Sequence, residues 1–347
     1  MRSGVFHTTY REDMAIFPSP LGRARIAVFL VLVVIFPFVA SPYWLSLANQ
    51  VAVATVGAIG LNILVGFTGQ ISLGQGAFMA IGAYVSGVLS LSLGVPFWLS
   101  IPLASLATAL SGLAFGLPSL RLKGLYLAIA TLAAQQIVEW VLTHWTSLTG
   151  GTEALVLPAP TLFGARVNTD FRFYWIAALA ALTTALFATN LFRSRAGRAF
   201  LAVRDQDIAA AAAGVPVFRS KLAAFAVSSF FVGMAGALIA QYRTILTWER
   251  FTLDVSVLYL AMIIIGGLGS VLGSFMGALV LTVLPSLLAS VGRQLQSSAP
   301  AFAERLPATQ EAVFGIVVLI VLIVEPRGLA KLWSDVKTYF RLWPFSR

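Results

Sequence analysis

Long apolar stretches recur along this chain, and their length fits the thickness of a lipid bilayer. Ten candidates stand at about 26–40, 45–65, 77–93, 96–117, 125–142, 173–191, 222–240, 255–272, 275–291 and 312–324. A helix of about 17 to 25 apolar residues covers a hydrocarbon core of about 30 Å. The last candidate is the weakest: its strongly apolar part, Gly315 to Val324, is short, so it starts further upstream, lies steeply embedded or fails to cross. Charged residues make up 10% of the chain, whereas a soluble domain carries about 25%. Backbone in lipid must satisfy its own hydrogen bonds. A barrel would alternate polar and apolar residues in ten-residue segments, and no such alternation appears. The expected fold is all-α, a polytopic transmembrane helical bundle of about ten spans.

The net charge of +10 does not point to nucleic acid, because the cations lie between apolar runs and are not interleaved with stacking aromatics. Their distribution reads as topology. One side holds Arg2, Arg11, Arg23, Arg25, Arg121, Lys123, Arg193, Arg195, Arg198, Arg204, Arg219, Lys221, Arg327, Lys331, Lys337, Arg341 and Arg347; the other holds Arg166, Arg172, Arg243, Arg250, Arg293 and Arg305. Seventeen against six is a positive-inside bias that places both termini in the cytoplasm. The expected organisation is a cytoplasmic segment 1–25, a membrane domain 26–324 with a cytoplasmic loop at 192–221, and a cytoplasmic tail 325–347. The run from Ile26 to Ala40 follows several arginines and has the look of a signal peptide, but the many later spans favour a retained anchor. Cysteine is absent, which excludes disulfides, and with only His7 and His144 a histidine-rich metal site is not expected.

Two connections exceed the usual tight turn, at about 143–172 and 192–221, and long connections are often functional. They divide the chain into halves of comparable span count, a plan common among transporters. Glycine clusters occur in both halves, at Gly66, Gly69, Gly74 and Gly76 and again at Gly266, Gly267, Gly269, Gly273 and Gly277. The span count puts both clusters on the cytoplasmic side, which an inverted pair would not give.

The loop at 192–221 is the most informative segment. Asp205 and Asp207 offer N-cap oxygens, Ile208, Ala209, Ala210, Ala211, Ala212 and Ala213 favour helix, Gly214 suits a left-handed close, and Pro216 prevents continuation. This pattern predicts a helix of under two turns outside the bilayer, either seated in a groove on a partner protein or touching only its own chain.

Between the second and third runs, Gly66, Thr68, Gly69, Gln70, Ser72, Gly74, Gln75 and Gly76 form either irregular backbone lining a substrate path or a plain cytoplasmic turn. Gly269, Gly273 and Gly277 are spaced by four residues, as are Gly112 and Gly116, a pattern suited to close helix packing in lipid. Glu139, near Gln135 and Gln136, is the candidate carboxylate inside a run; it faces a cavity or sits near the outer surface. A proton- or sodium-driven carrier would show a larger set of membrane carboxylates. A nucleotide-binding phosphate loop is absent, since Lys123, Lys221, Lys331 and Lys337 follow Leu122, Ser220, Ala330 and Val336, never glycine. No Ser/His/Asp arrangement suggests an enzyme.

The ordered motifs Gly60-Leu61-Asn62-Ile63-Leu64-Val65-Gly66, Ser72-Leu73-Gly74-Gln75-Gly76-Ala77-Phe78, Thr131-Leu132, Thr149-Gly150-Gly151, Gly197-Arg198-Ala199, Arg204-Asp205, Gly266-Gly267-Leu268-Gly269-Ser270 and Pro326-Arg327-Gly328-Leu329 resemble the M-type membrane permeases of branched-chain amino acid ABC importers, over about residues 50–330. The resemblance implies a helical permease in the bacterial inner membrane that pairs with a shorter H-type permease subunit. It further implies two cytoplasmic ATPase subunits that carry ATP and Mg, a periplasmic or lipid-anchored solute-binding protein, and no cofactor on this chain. It maps the family's coupling helix onto Ile208 to Gly214. The sequence departs from the family pattern at Ala211, where glutamate is frequent, at Gln136 and Glu139, and at Thr152-Glu153-Ala154. Assignment to leucine, isoleucine or valine is correspondingly loose, since similar permeases carry urea, short amides or other small solutes. An ion-coupled secondary carrier is the alternative of a different class.

Overall fold

The computed structural model describes residues 20–119, 124–162, 165–167, 169–295 and 327–342, with isolated positions between 312 and 325. The helices are α1 (Pro20–Val39), α2 (Pro42–Thr68), α3 (Gln75–Ser92), α4 (Phe97–Ser119), α5 (Leu125–His144), α6 (Thr146–Thr149), α7 (Asp170–Arg193), α8 (Arg195–Asp205), α9 (Asp207–Ala212), α10 (Val217–Arg243), α11 (Leu253–Gly266), α12 (Val271–Leu295) and α13 (Leu329–Leu342). Among the described residues seven helices are long and apolar enough to cross a membrane: α2, α3, α4, α5, α7, α10 and α12. They correspond to the second to seventh and the ninth predicted spans. The first predicted span falls in α1, whose apolar part, Ala27–Val39, is shorter. The tenth, 312–324, lies largely outside the described residues.

α2 and α10, each 27 residues long, form the centre. The most apolar stretch of α2 is 94% buried, so this helix is enclosed on all sides rather than along one stripe. It runs antiparallel to α10, with Gly60 against Ser228, Phe231 and Val232, and Gly57 against Ala235. On α4, Gly112 faces Ser229 and Gly116 faces Phe225, so α4 is also antiparallel to α10. α3 crosses α10 most closely: a Cβ at Gly82 would overlap the Gly233 backbone, and one at Gly236 would overlap the Met79 carbonyl. Lipid tails are as apolar as the side chains, so helices in a bilayer gain association from such close van der Waals approach rather than from hydrophobic burial. Gln241 donates to Ser86 Oγ and Ser90 Oγ, both at 3.0 Å, so the C-terminal ends of α3 and α10 lie together.

Two chain breaks organise the rest. After α2 the chain turns at Gly69, whose φ of 68° is left-handed and costs glycine little, and residues 70–74 return alongside α2 without helix. Gln75 Nε2 then donates to the Gly57 carbonyl at 3.1 Å, a position roughly 16 Å back along α2 from Thr68 at 1.5 Å per residue. After α10, strand β4 (Ile245–Leu246) pairs with β1 (Leu155–Val156) from the long connection between α6 and α7. That connection also holds a second small strand pair, β2 (Thr161–Leu162) with β3 (Ala165–Arg166). Beyond β4, a 3-10 turn, Trp248–Phe251, leads into α11. α11 has 14 residues, about 21 Å of helix, too short to span the core of about 30 Å.

α3 and α11 leave their meeting point in opposite directions. α3 heads for the C-terminal end of α10, whereas α11 ends at Gly266, whose following residues touch Gly66 near the C-terminal end of α2. The predicted eighth span, 255–272, is therefore not one continuous helix: it stops at Gly266, breaks through Gly267 to Ser270, and resumes as α12. The structural counterpart of the glycine segment after α2 is the stretch after α10, not the cluster at 266–277. An inverted relation between the halves is thus present in the backbone where the glycine clusters had argued against it.

Candidate functional site

The starts of α3 and α11 meet inside the bundle and are held by α5. The Gly76 N–H donates to Ser256 Oγ at 2.8 Å, and the Ala77 N–H donates to Gln135 Oε1 at 2.5 Å. Gln135 Nε2 donates in turn to the Phe251 carbonyl at 2.6 Å. One buried glutamine thus satisfies an orphan donor at the start of one helix and a loop carbonyl just before the other. Thr131, one turn earlier on α5, accepts from the Leu73 N–H at 2.9 Å. A Cβ at Gly76 would stand 2.7 Å from the Thr252 carbonyl oxygen, so glycine is what permits the two backbones to approach. In a low-dielectric interior these bonds matter chiefly because leaving them unmade is costly, about 1–3 kcal/mol per group.

A second junction lies at the end that carries Arg193, Arg195, Arg198, Arg204, Arg219 and Lys221, the basic end. Asn62, 1% exposed, accepts at Oδ1 from the Gly269 N–H at 2.9 Å. Its Nδ2 donates to the Ser270 carbonyl at 3.0 Å and to Ser274 Oγ at 2.8 Å. The broken segment between α11 and α12 is therefore pinned by one side chain of α2. Beside it, Arg204 of α8 donates from Nη1 to the Gly66 carbonyl at 2.7 Å, and a Cβ at Gly269 would stand 3.1 Å from the same nitrogen. Arg204 thus ties the loop after α7 to the end of α2 and to the break that follows α11.

α9 follows directly. Asp205 ends α8 and Gln206 occupies the N-cap of α9 without a side-chain bond; the aspartates therefore do not cap it as the sequence pattern suggested. Asp207 instead meets Lys221 Nζ of α10 at 3.4 Å. The C-terminal close is as the residues indicate: Gly214 has φ of 83°, its N–H donates to the Ala211 carbonyl, and the Val215 N–H donates to the Ala210 carbonyl at 2.9 Å, a Schellman motif. Ala210 turns into the chain, while Ala209, Ala211, Ala212, Ala213 and Gly214 are exposed and Ile208 is 72% exposed. A recess of about 290 Å³ beside α9 is lined by Thr68, Gly69, Gln70, Arg204, Asp207 and Lys221, among others, so the short helix and the glycine segment share one wall.

Of the predicted path residues, Thr68, Gln70, Ser72 and Gln75 are buried and bonded within the chain. Thr68 Oγ1 donates to the Leu64 carbonyl, Gln70 Nε2 donates to Thr68 Oγ1, and Ser72 Oγ accepts from the Gly74 N–H. Gly69 and Ile71 face outward, while Gly66 is enclosed by the Asn62 amide and the Gly269 N–H, Gly74 by Thr131 and Phe78, and Gly76 by the Phe251 and Thr252 carbonyls. Gly273 and Gly277 lie on α12 against Gly266 and Met262 of α11. Gly269 is not on a helix: it lies in the break, with φ of 75°. Glu139 is half-buried on the turn of α5 before Trp140 and His144. Of the residues that hold these junctions, Asn62, Thr131 and Arg204 appear in the sequence as members of family motifs and Gln135 only as a neighbour of Glu139, none with a role, and Ser256 is not singled out. The available signal was polarity inside an apolar run for Asn62 and Gln135, and motif membership for Asn62, Thr131 and Arg204.

Among the described residues, seven helices long and apolar enough to cross a membrane, with paired chain breaks toward opposite ends of the bundle and an exposed short helix beside one of them, indicate a multi-pass membrane protein. The chain belongs to the family described as branched-chain amino acid transport system / permease component, whose profile matches residues 43–322. It is 35% identical to the high-affinity branched-chain amino acid transport system permease protein LivM of Salmonella typhimurium, over 75% of this chain and 67% of the relative. Identity to the probable branched-chain amino acid transport permease protein LivM of Methanocaldococcus jannaschii is 27%, over 67% of each. The probable LivH permease of the same organism is 23% identical over 81% of this chain and 89% of its own length. No solved structure matches the chain.

Proposed function

We propose that this chain is one membrane-spanning subunit of an ATP-binding-cassette importer in a bacterial inner membrane, with the basic end in the cytoplasm. Its cargo is a branched-chain or other hydrophobic amino acid, delivered by a solute-binding protein. The chain pairs with an H-type permease subunit, and two ATPase subunits carry the nucleotide and Mg. Two kinds of relative support the pairing, since the chain aligns with both LivM and LivH permeases. The solute passes beside the segment from Gly66 to Gly76 on the face where Gly69 and Ile71 are exposed, and the partner permease closes that face.

The observation that carries this reading is the connection from α9 to the core. An exposed helix with Ile208 at its tip continues from α8, whose Arg204 grips the Gly66 carbonyl. Movement of α9 by a docked ATPase would reach the glycine segment and the α11–α12 break through one side chain. Ile208→Glu or Ala212→Arg places charge on the docking face without touching Ala210. A well-buried interface anchor is worth about 2 kcal/mol, so uptake by the assembled importer and stimulation of its ATPase should fall roughly thirtyfold, with membrane insertion intact. Unchanged uptake removes the coupling role. Solute flux by the reconstituted chain alone, driven by an ion gradient, would replace the importer reading with a secondary carrier.

A further inference from the structure

The last described helix, α13, is unlike the crossings. At 100° per residue, Leu329, Leu332, Trp333, Val336 and Tyr339 fall on one arc, and Lys331, Ser334, Asp335, Lys337 and Thr338 fall on the other. Its beginning is packed. Gly328, with φ of 81°, presses against Gly267 at the basic end of α11, and Leu329 touches the core. From Leu332 to Tyr339 every residue is exposed, on both arcs, with Trp333 at 54% and Val336 at 39%. An apolar arc therefore leaves the bundle at the level where α11 ends, exposed among the described residues.

The basic balance here is strong: the sequence from Arg327 to Arg347 holds Arg327, Lys331, Lys337, Arg341 and Arg347 against Asp335 alone. On the polar arc Lys331 pairs with Asp335, and Lys337 stands at the opposite edge of that arc. A short helix with an apolar arc containing tryptophan and tyrosine and a lysine-bearing polar arc matches the surface of a bilayer, where the rings sit at headgroup depth and the cations meet anionic headgroups. Its tether to the ends of α11 and α12 holds it at the height of that surface, and the excess positive charge selects an anionic one.

We propose that α13 lies in the plane of the membrane at the basic end, with Leu332, Trp333 and Val336 sunk among the lipids and its cations on anionic headgroups, so that it anchors the α11–α12 break to the lipid surface. The competing occupant of the same face is a soluble protein, and the test separates the two. The chain has no native cysteine, so Val336→Cys and Ser334→Cys each give a single site for an environment-sensitive fluorophore, on opposite arcs. Full-length protein is placed in vesicles of phosphatidylcholine, or of phosphatidylcholine with about one third phosphatidylglycerol, with and without brominated acyl chains. The label at 336 should shift to the blue and be quenched by brominated lipid, more strongly in the anionic vesicles, while the label at 334 stays aqueous. Lys337→Gln should lower the ratio of inserted to free helix in anionic vesicles about fivefold. Equal aqueous behaviour of both labels, or protection of 336 that appears only when ATPase subunits are added, overturns the proposal.

Discussion

Asn62 shows how much one polar side chain decides in an apolar medium. It holds Gly269 and Ser270 through both ends of its amide and reaches Ser274 as well. Asn62→Leu keeps the branched shape and removes every bond, leaving the Gly269 N–H without its partner at about 1–3 kcal/mol, while the Ser270 carbonyl keeps the Ser274 N–H. The purified protein should unfold at a lower temperature in detergent and be cleaved by protease near residues 267–270. Gly76→Val tests the other junction: with the Thr252 carbonyl oxygen 2.7 Å from the first added carbon, the starts of α3 and α11 must separate. Asn62 and Gln135 were visible in the sequence as amides within apolar runs. Their partners were not, because Asn62 and Gly269 are 207 positions apart and no local pattern relates them.

Elements were legible to different degrees. The long helices followed from apolar length, and the close of α9 followed from Gly214 and Pro216, since left-handed geometry and a missing N–H are properties of single residues. The start of α9 did not follow: Asp205 and Asp207 suit an N-cap, but tertiary contact takes Asp207 to Lys221 and puts Gln206 at the cap. The stretch 70–74 reads as a turn in any position; that it climbs back along α2 depends on Gly57 and Thr131, which hold it. The same limit merged α11 with the start of α12, as both are uniformly apolar. At this scale Arg204 is the element-to-element link. Arg204→Ala removes a charge-assisted bond worth about 1.5–3 kcal/mol, so ATPase activity should persist while uptake per ATP falls about tenfold, with partial recovery in Arg204→Lys.

For the molecule as a whole, the arrangement of ends is directly testable. Cysteines introduced at Ile208 and Ile245, both exposed, should react with membrane-impermeant maleimide from opposite faces of the membrane, position 208 from inside and 245 from outside. Reaction of both from one face would contradict the crossing assigned to α10. The short α11 also bears on how the chain is made. Its approach is fixed by the Phe251 carbonyl on Gln135 and by Ser256 on the Gly76 N–H, and Gln135 and Gly76 belong to segments synthesised much earlier. A nascent chain that has emerged only as far as α10 carries Gly76 and Gln135 with these valences open inside lipid, where water cannot serve them. Completion of the first half during biogenesis therefore waits on translation of the second.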